Sequence, residues 1–265
     1  MKKYIEPIVE ICCGNYYDAK QAALGGAKRI ELNSALMLGG LTPTEATVAM
    51  VKENLELKVI AMVRPRAAGF CYLDEEFSVM EKECRGVLDA GADGIAFGCL
   101  KEDGSLDEEK NRRLLDIIKE KGKEAVFHRA FDCTLNPFET MEKLICLGVD
   151  RVLTSGLKAK AIEGKDMIRK LQEAYGNQIQ ILAGSGINAQ NAVELIMDTG
   201  ISQIHSSCKA WIEDSTTVKN GVSYSITDDK PMCYDVVSVK LVKELIEQCH
   251  GRRYFSDTTS KAVFR

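Results

Sequence analysis

The sequence predicts a single (β/α)₈ barrel, and three observations carry that prediction. Short β-branched runs alternate with longer amphipathic segments about eight times, with no compositional break between them. Most of the amphipathic segments stop at a glycine, the residue that closes a helix in the left-handed conformation. The chain has 265 residues, 45% of them hydrophobic, which suits one large core in the usual size range of an undivided barrel. An open doubly wound sheet would carry similar punctuation, so closure rests on there being eight strands.

The first strand is predicted over residues 8–13 and is followed by a helix over 18–24 that ends at Gly25-Gly26. A second strand at 29–33 precedes a helix opening at Thr42-Pro43, where Thr suits the N-cap and Pro the first turn. Strand 58–66 leads to a helix over 74–90 that closes at Gly91, and strand 94–100 to one over 107–121 that closes at Gly122. Strand 125–130 leads to helix 137–147 and Gly148, strand 151–155 to helix 165–175 and Gly176, and strand 179–183 to helix 188–199 and Gly200. The eighth strand is 203–207. Residues 209–234 read as an irregular insert, a lid or a plain surface loop, before a last helix over 235–248. The barrel thus takes residues 1–249, and 250–265 form a polar tail without periodicity.

Composition narrows the function. Net charge is -4 and the basic residues are scattered, so the positive stripe that binds a phosphate backbone is missing and nucleic acid is not expected as a partner. Lys2 and Lys3 meet Glu6 and Glu10 before any long apolar run, and no stretch nears the roughly 18 apolar residues of a membrane span. A cytoplasmic location is expected, with no membrane partner. The ten cysteines are spread through a core-forming chain, which suits reduced thiols, and none shows zinc-like spacing because Cys12 and Cys13 are adjacent and the rest lie far apart.

Strand parity places the candidate site. Side chains of a barrel strand alternate between lumen and helix layer, and the helix-facing set is apolar. With Val9, Ile11, Ile30, Leu32, Val59, Ala61, Val63, Ala125, Phe127 and Ile204 outward, the lumen receives Glu10, Cys12, Glu31, Asn33, Arg64, Arg66, His128, His205 and Ser207. Barrel chemistry occurs at strand C-terminal ends, so Asn33, Arg64, Arg66, His128, Arg129, Asp132 and His205 are the candidates, with Glu10 and Glu31 deeper, holding Arg64 or His128. The competing reading is an ionic network that merely plugs the barrel.

Thr154-Ser155-Gly156 after the sixth strand, Gly184-Ser185-Gly186 after the seventh and Ser206-Ser207 on the eighth form a candidate cradle for a phosphate or carboxylate. Glu10, Glu31, Asp132 and the histidines are candidates for proton transfer, and the arginines for holding an anion. No lysine lies in the late half of a predicted strand, which weakens a Schiff-base mechanism, although Lys158 and Lys209 sit just beyond strand ends. No G-x-S-x-G elbow is present. An inward Cys12 near a histidine would be a soft site of the kind that selects Cu(I), while Cys13 should face the helices.

The ordered segments Glu10-Ile11-Cys12, Arg29-Ile30-Glu31-Leu32, Gly39-Gly40-Leu41-Thr42-Pro43, Arg64-Pro65-Arg66 and Phe70-Cys71-Tyr72 closely resemble the CutC family. Phe127-His128-Arg129-Ala130-Phe131-Asp132, Arg151-Val152-Leu153-Thr154-Ser155-Gly156 and His205-Ser206-Ser207 continue the match. The resemblance implies a cytoplasmic (β/α)₈ barrel, a homo-oligomer such as a dimer or tetramer, tied to copper homeostasis and to Cu(I) as a metal held through cysteines, with no settled reaction. Cys12 keeps the family's first-strand cysteine, but Asn33 stands where the second strand often ends in Glu-Leu-Cys, so a two-thiolate site is incomplete here. Two expectations result: a copper-homeostasis protein using Cys12, or an enzyme acting on a small anionic metabolite, phosphorylated or not. A scaffold without chemistry is a third.

Overall fold

Period-2 alternation of apolar residues makes eight strands, and their hydrogen bonding closes on itself. The computed structural model describes residues 6–250 and, by backbone, the short strands Lys3–Tyr4 and Phe255–Ser256, which pair antiparallel. The barrel strands are β1 (Ile8–Cys13), β2 (Arg29–Leu32), β3 (Lys58–Met62), β4 (Gly94–Phe97), β5 (Glu124–Phe127), β6 (Arg151–Thr154), β7 (Gln180–Ala183) and β8 (Gln203–Ser206). Each pairs in parallel with its neighbour, and β8 returns to β1 with His205 opposite Glu10.

The helices are α1 (Tyr16–Leu24), α2 (Glu45–Asn54), α3 (Asp74–Asp89), α4 (Glu108–Glu120), α5 (Pro137–Leu147), α6 (Lys165–Tyr175), α7 (Ala192–Thr199) and α8 (Val239–His250). They cover the barrel, and the main apolar core lies between them and the outward strand residues: Ile11, Ile30, Val59, Ile95, Phe127, Val152 and Ile204 are fully buried there, with Cys13. Inside the barrel a second, separate cluster of Ile60, Met62, Ala96 and Val126 fills the β3–β5 side of the lumen. The β1, β2, β6 and β8 side is ionic. One half of the lumen is therefore oily and the other half charged.

Several boundaries differ from the expectation. The α2 N-cap is Thr44, which accepts from the Thr47 amide, whereas Thr42 exchanges hydrogen bonds with the Arg64 backbone and donates to Glu83. The α7 cap is Asn191, because Asn188 is drawn into a turn whose amide donates to Asn191. Gly176 closes α6 in the right-handed region, at φ -60°, so it does not supply the left-handed residue expected of it. The segment after β8 is not irregular. Lys209–Glu213 (β9) and Cys233–Val237 (β10) form an antiparallel ladder across a tip that carries the Val218–Lys219 and Val222–Ser223 pair. The last helix starts later than expected because Asp235 belongs to β10. Of the predicted tail, His250 closes α8 and Phe255–Ser256 form a short strand; the rest lies outside the described residues.

Candidate active site

Glu10 sits mid-strand on β1 and reaches across the lumen. Its Oε2 lies 2.6 Å from Arg29 Nε and 3.3 Å from Arg151 Nη1, and its Oε1 lies 2.9 Å from His205 Nδ1. Arg151 also donates to Glu124, which pairs with Lys58 at 2.5 Å. Only inward side chains can link β1 to β6, so these contacts establish the strand parity directly. Burial would raise the Glu10 pKa, but Arg29, His205 and Arg151 override it and hold the carboxyl at about 2.

The layer above is smaller. Glu31 Oε2 accepts from Asn33 Nδ2 at 3.0 Å and lies 3.8 Å from both Cys12 Sγ and His205 Nε2. Cys12, Glu31 and His205 each offer one ligand atom, all within 4.8 Å of one another. Burial pushes the Cys12 thiol up to about 11 despite its bond to His205. Burial likewise raises Glu31. Burial pulls His205 down, yet Glu31 and the bonds to Cys12 and Glu10 outweigh it and hold the imidazole well above its usual value, as a cation between carboxylates.

A cavity of about 390 Å³ opens above this layer at the strand C-terminal ends. Its polar lining includes Cys12, Glu31, Asn33, Arg64, His128 and His205, and its apolar lining Leu36, Met62, Phe70, Leu153 and Ile187. Arg129, Ser185, Gly186, Ser206, Ser207 and Lys209 also line it. Arg129 is neutralised by Asp132 at 2.8 Å and Lys209 by Asp235 at 2.7 Å.

Arg64 has no such partner among the described residues. It is 5% exposed, and its guanidinium donates to the carbonyl oxygens of Leu38 and Gly40 at 3.0 Å and of Ala68 at 2.7 Å. No carboxylate among the described residues pairs with it, and its Nε is buried without an acceptor. Gly39 and Gly40, at φ +88° and +84°, bring the loop onto it, and a Cβ at Gly40 would come within 2.4 Å of Asn33 Oδ1. Arg64 also lies over the Phe70 ring at 5.2 Å, and that ring packs 5.0 Å from His128. His128 accepts from the Ala130 amide on Nδ1 at 3.2 Å, and its Nε2 is buried without a partner among the described residues. Burial, with Arg64 adding to it, holds His128 down at about 3, so the ring is neutral.

Several sequence expectations are corrected by this geometry. Glu10 and Glu31 do not hold Arg64 or His128, because Arg29 and Arg151 at the strand starts share the inward parity and lie closer to Glu10. Arg66 leaves the lumen: β3 ends at Met62, the alternation stops there, and the side chain pairs with Glu76 at 2.5 Å and donates to the Cys71 carbonyl. Asp132 does not face the cavity. Its carboxylate accepts from the Ser155 and Leu157 amides at 3.0 and 3.1 Å and from Thr154 Oγ1 at 2.5 Å. The Ser155-Gly156 cradle is thus filled by the chain's own anion, while the Gly156 amide donates to Thr154 Oγ1. Gly184 packs under Leu153 and His205, where a Cβ would come within 2.7 Å of Leu153 Cδ1. Arg29 and Arg151 were missed although parity alone puts them inward, two residues before Glu31 and four before Ser155.

The model of the CutC family matches residues 7–210. A family protein CutC of Treponema denticola is 44% identical over 216 residues, covering 82% of this chain and 87% of its own length. A second, from Porphyromonas gingivalis, is 42% identical and covers 78% and 83%. A solved CutC structure from Streptococcus agalactiae, assigned provisionally to copper homeostasis, superposes with a TM-score of 0.71 at 28% identity, covering 76% of this chain and 98% of that one.

Proposed function

The chain belongs to the CutC family, and from that premise we propose that its barrel mouth is an active site for a small anionic metabolite, a carboxylate or phosphate ester. One observation carries the reading: Arg64 is a buried cation on the cavity wall without a carboxylate partner among the described residues. Buried charges are ordinarily paired, and an anion in the cavity would be the missing counter-ion. Glu31 and His128 line the same space, and they, rather than the locked Glu10, are the groups placed to act on what binds there. The chain is expected to work in the cytoplasm with its ten thiols free, as a homo-oligomer whose size light scattering would measure.

Thermal-shift screening with phosphorylated and carboxylated metabolites tests this. A ligand at about 100 times its Kd should raise the wild-type Tm by about 5 °C and leave Arg64→Ala unmoved. Should no anion stabilise either protein, the reading falls.

The second reading follows the solved relative's assignment to copper homeostasis, with Cu(I) as the cargo. What favours it is the Cys12–Glu31–His205 cluster together with the Glu10 carboxylate on His205 Nδ1, the arrangement that orients a metal-binding imidazole. The thiol at about 11 and the charged His205 oppose it, because both must lose a proton to bind. Anaerobic Cu(I) titration of wild type and Cys12→Ser decides: equal affinities would remove copper from the site.

A further inference from the structure

His128 can be assigned a chemical role from one hydrogen bond. A backbone N–H can only donate, so the Ala130 amide at 3.2 Å makes Nδ1 the acceptor and leaves the proton of the neutral ring on Nε2. That Nε2–H is buried, has no acceptor among the described residues and belongs to a ring on the cavity wall. The ring has little freedom to turn elsewhere. A Cβ at Gly98 would lie 2.8 Å from its Cε1 and Nδ1, and Phe70 and Phe127 pack at 5.0 and 6.1 Å between centroids. An orphaned buried donor is costly to the fold, and a ligand oxygen would satisfy it.

Glu31 stands on the same wall. Asn33, Cys12 and His205 all address its Oε2, which fixes the carboxylate while Oε1 takes no part in those contacts. A rigid neutral donor, a fixed carboxylate and an unpaired guanidinium around one cavity are the parts that proton transfer next to a carbonyl requires.

We propose that the ligand is an anionic carbonyl compound with a hydrogen on the adjacent carbon, and that the site enolises it, with Glu31 as base and His128 Nε2–H as oxyanion donor. Glu31 takes the proton from carbon, the C–H electron pair becomes the C=C bond, and the carbonyl π pair moves onto oxygen, which His128 stabilises. Returning the proton to the same carbon gives exchange with solvent; where that carbon also bears a hydroxyl, the hydroxyl proton passes to the first oxygen, the carbon proton returns to the former carbonyl carbon, and the isomeric carbonyl compound results. No oxidant or cofactor is consumed. The proposal rests on the anion reading above and adds the carbonyl and the reaction class to it.

Isothermal titration with charge-matched pairs separates the two claims. Oxalate and phosphoglycolohydroxamate mimic the enolates of a 2-oxo acid and a triose phosphate, and malonate and glycerol 3-phosphate carry the same charge without the planar oxyanion. At least one mimic should bind tenfold or more tighter than its partner, and which one does so distinguishes carboxylate from phosphate substrates. His128→Leu should abolish that preference and His128→Gln, which keeps an N–H donor, should restore part of it. Arg64→Ala should weaken both members of the pair alike. Equal binding of both members would overturn the enolisation proposal and leave the anion reading standing. No binding of any of the four would overturn both, and the wild-type comparison stands alone if a variant fails to fold.

Discussion

At neutral pH the cavity wall carries a neutral imidazole beside a guanidinium, and acid is what should disturb it. His128 in the unfolded chain takes a proton near pH 6.5, whereas in the folded protein it resists protonation down to about 3. The depressed value means that folding favours the neutral ring: its contribution is complete above pH 6.5 and is lost as pH falls toward 3, by roughly 1.4 kcal/mol per pH unit. Glu10, at about 2 instead of its usual 4.5, adds a second loss that begins only below pH 4.5. Urea unfolding between pH 7 and 5 should therefore show a decline in wild type that is largely absent from His128→Gln. A decline of the same slope in both proteins would show that His128 is not the group responsible. The sequence reading located His128 by parity but could not assign its tautomer, because the Ala130 bond arises from the 3₁₀ turn at Arg129–Cys133 rather than from strand alternation.

Strand parity held for one or two residues past the strand ends, where Asn33, Arg64 and His128 still line the cavity, and no further. It placed Glu10, Cys12, Glu31 and His205 correctly on β1, β2 and β8, and it failed at Arg66, where β3 had ended and Pro65 had broken the alternation. The loop after β6 gives the same lesson from the other side. Glycine and serine there suggested an external anion, but the occupant is Asp132, delivered by the turn after β5, a tertiary contact that local composition does not encode. Asp132 also holds Leu157 at φ +62°, a left-handed conformation that costs a side chain of this kind about 1–3 kcal/mol. Asp132→Ala should destabilise the protein by about 3 kcal/mol, since it leaves amides and Arg129 without their acceptor, and hydrogen exchange should localise the loosening to the loop after β6. Gly98→Ala should cost about 1–3 kcal/mol by driving a methyl group into the His128 ring. Both costs are readable as shifts in denaturant midpoint, and wild-type midpoints would contradict these contacts.

The fold as a whole divides its lumen. Ile60, Met62, Ala96 and Val126 fill one side as an ordinary core, while Glu10 collects Arg29, Arg151 and His205 on the other. The expected alternative of an ionic plug is thus present, but it sits at the bottom of the barrel and leaves the mouth open above it. Glu10→Ala would leave Arg29 without a carboxylate and take one of two from Arg151 and from His205, and a loss of about 3–5 kcal/mol is expected in equilibrium unfolding; a loss below 1 kcal/mol would mean that the network is solvated. Eight strands, eight helices and the closure of the barrel were legible because each βα unit repeats one hydrophobic pattern. The β9–β10 ladder was not, because its pairing joins segments about 25 residues apart and its half-buried strands carry little alternation. An anion seated at the barrel mouth against Arg64 and His128 is directly observable by ¹⁵N NMR, because the chain has three histidines. At pH 7 the His128 ring should show the Nε2–H tautomer, and added oxalate or phosphoglycolohydroxamate should move that resonance while His250, outside the cavity, stays fixed. A His128 ring that titrates near 6.5, or that none of these anions moves, would contradict the account.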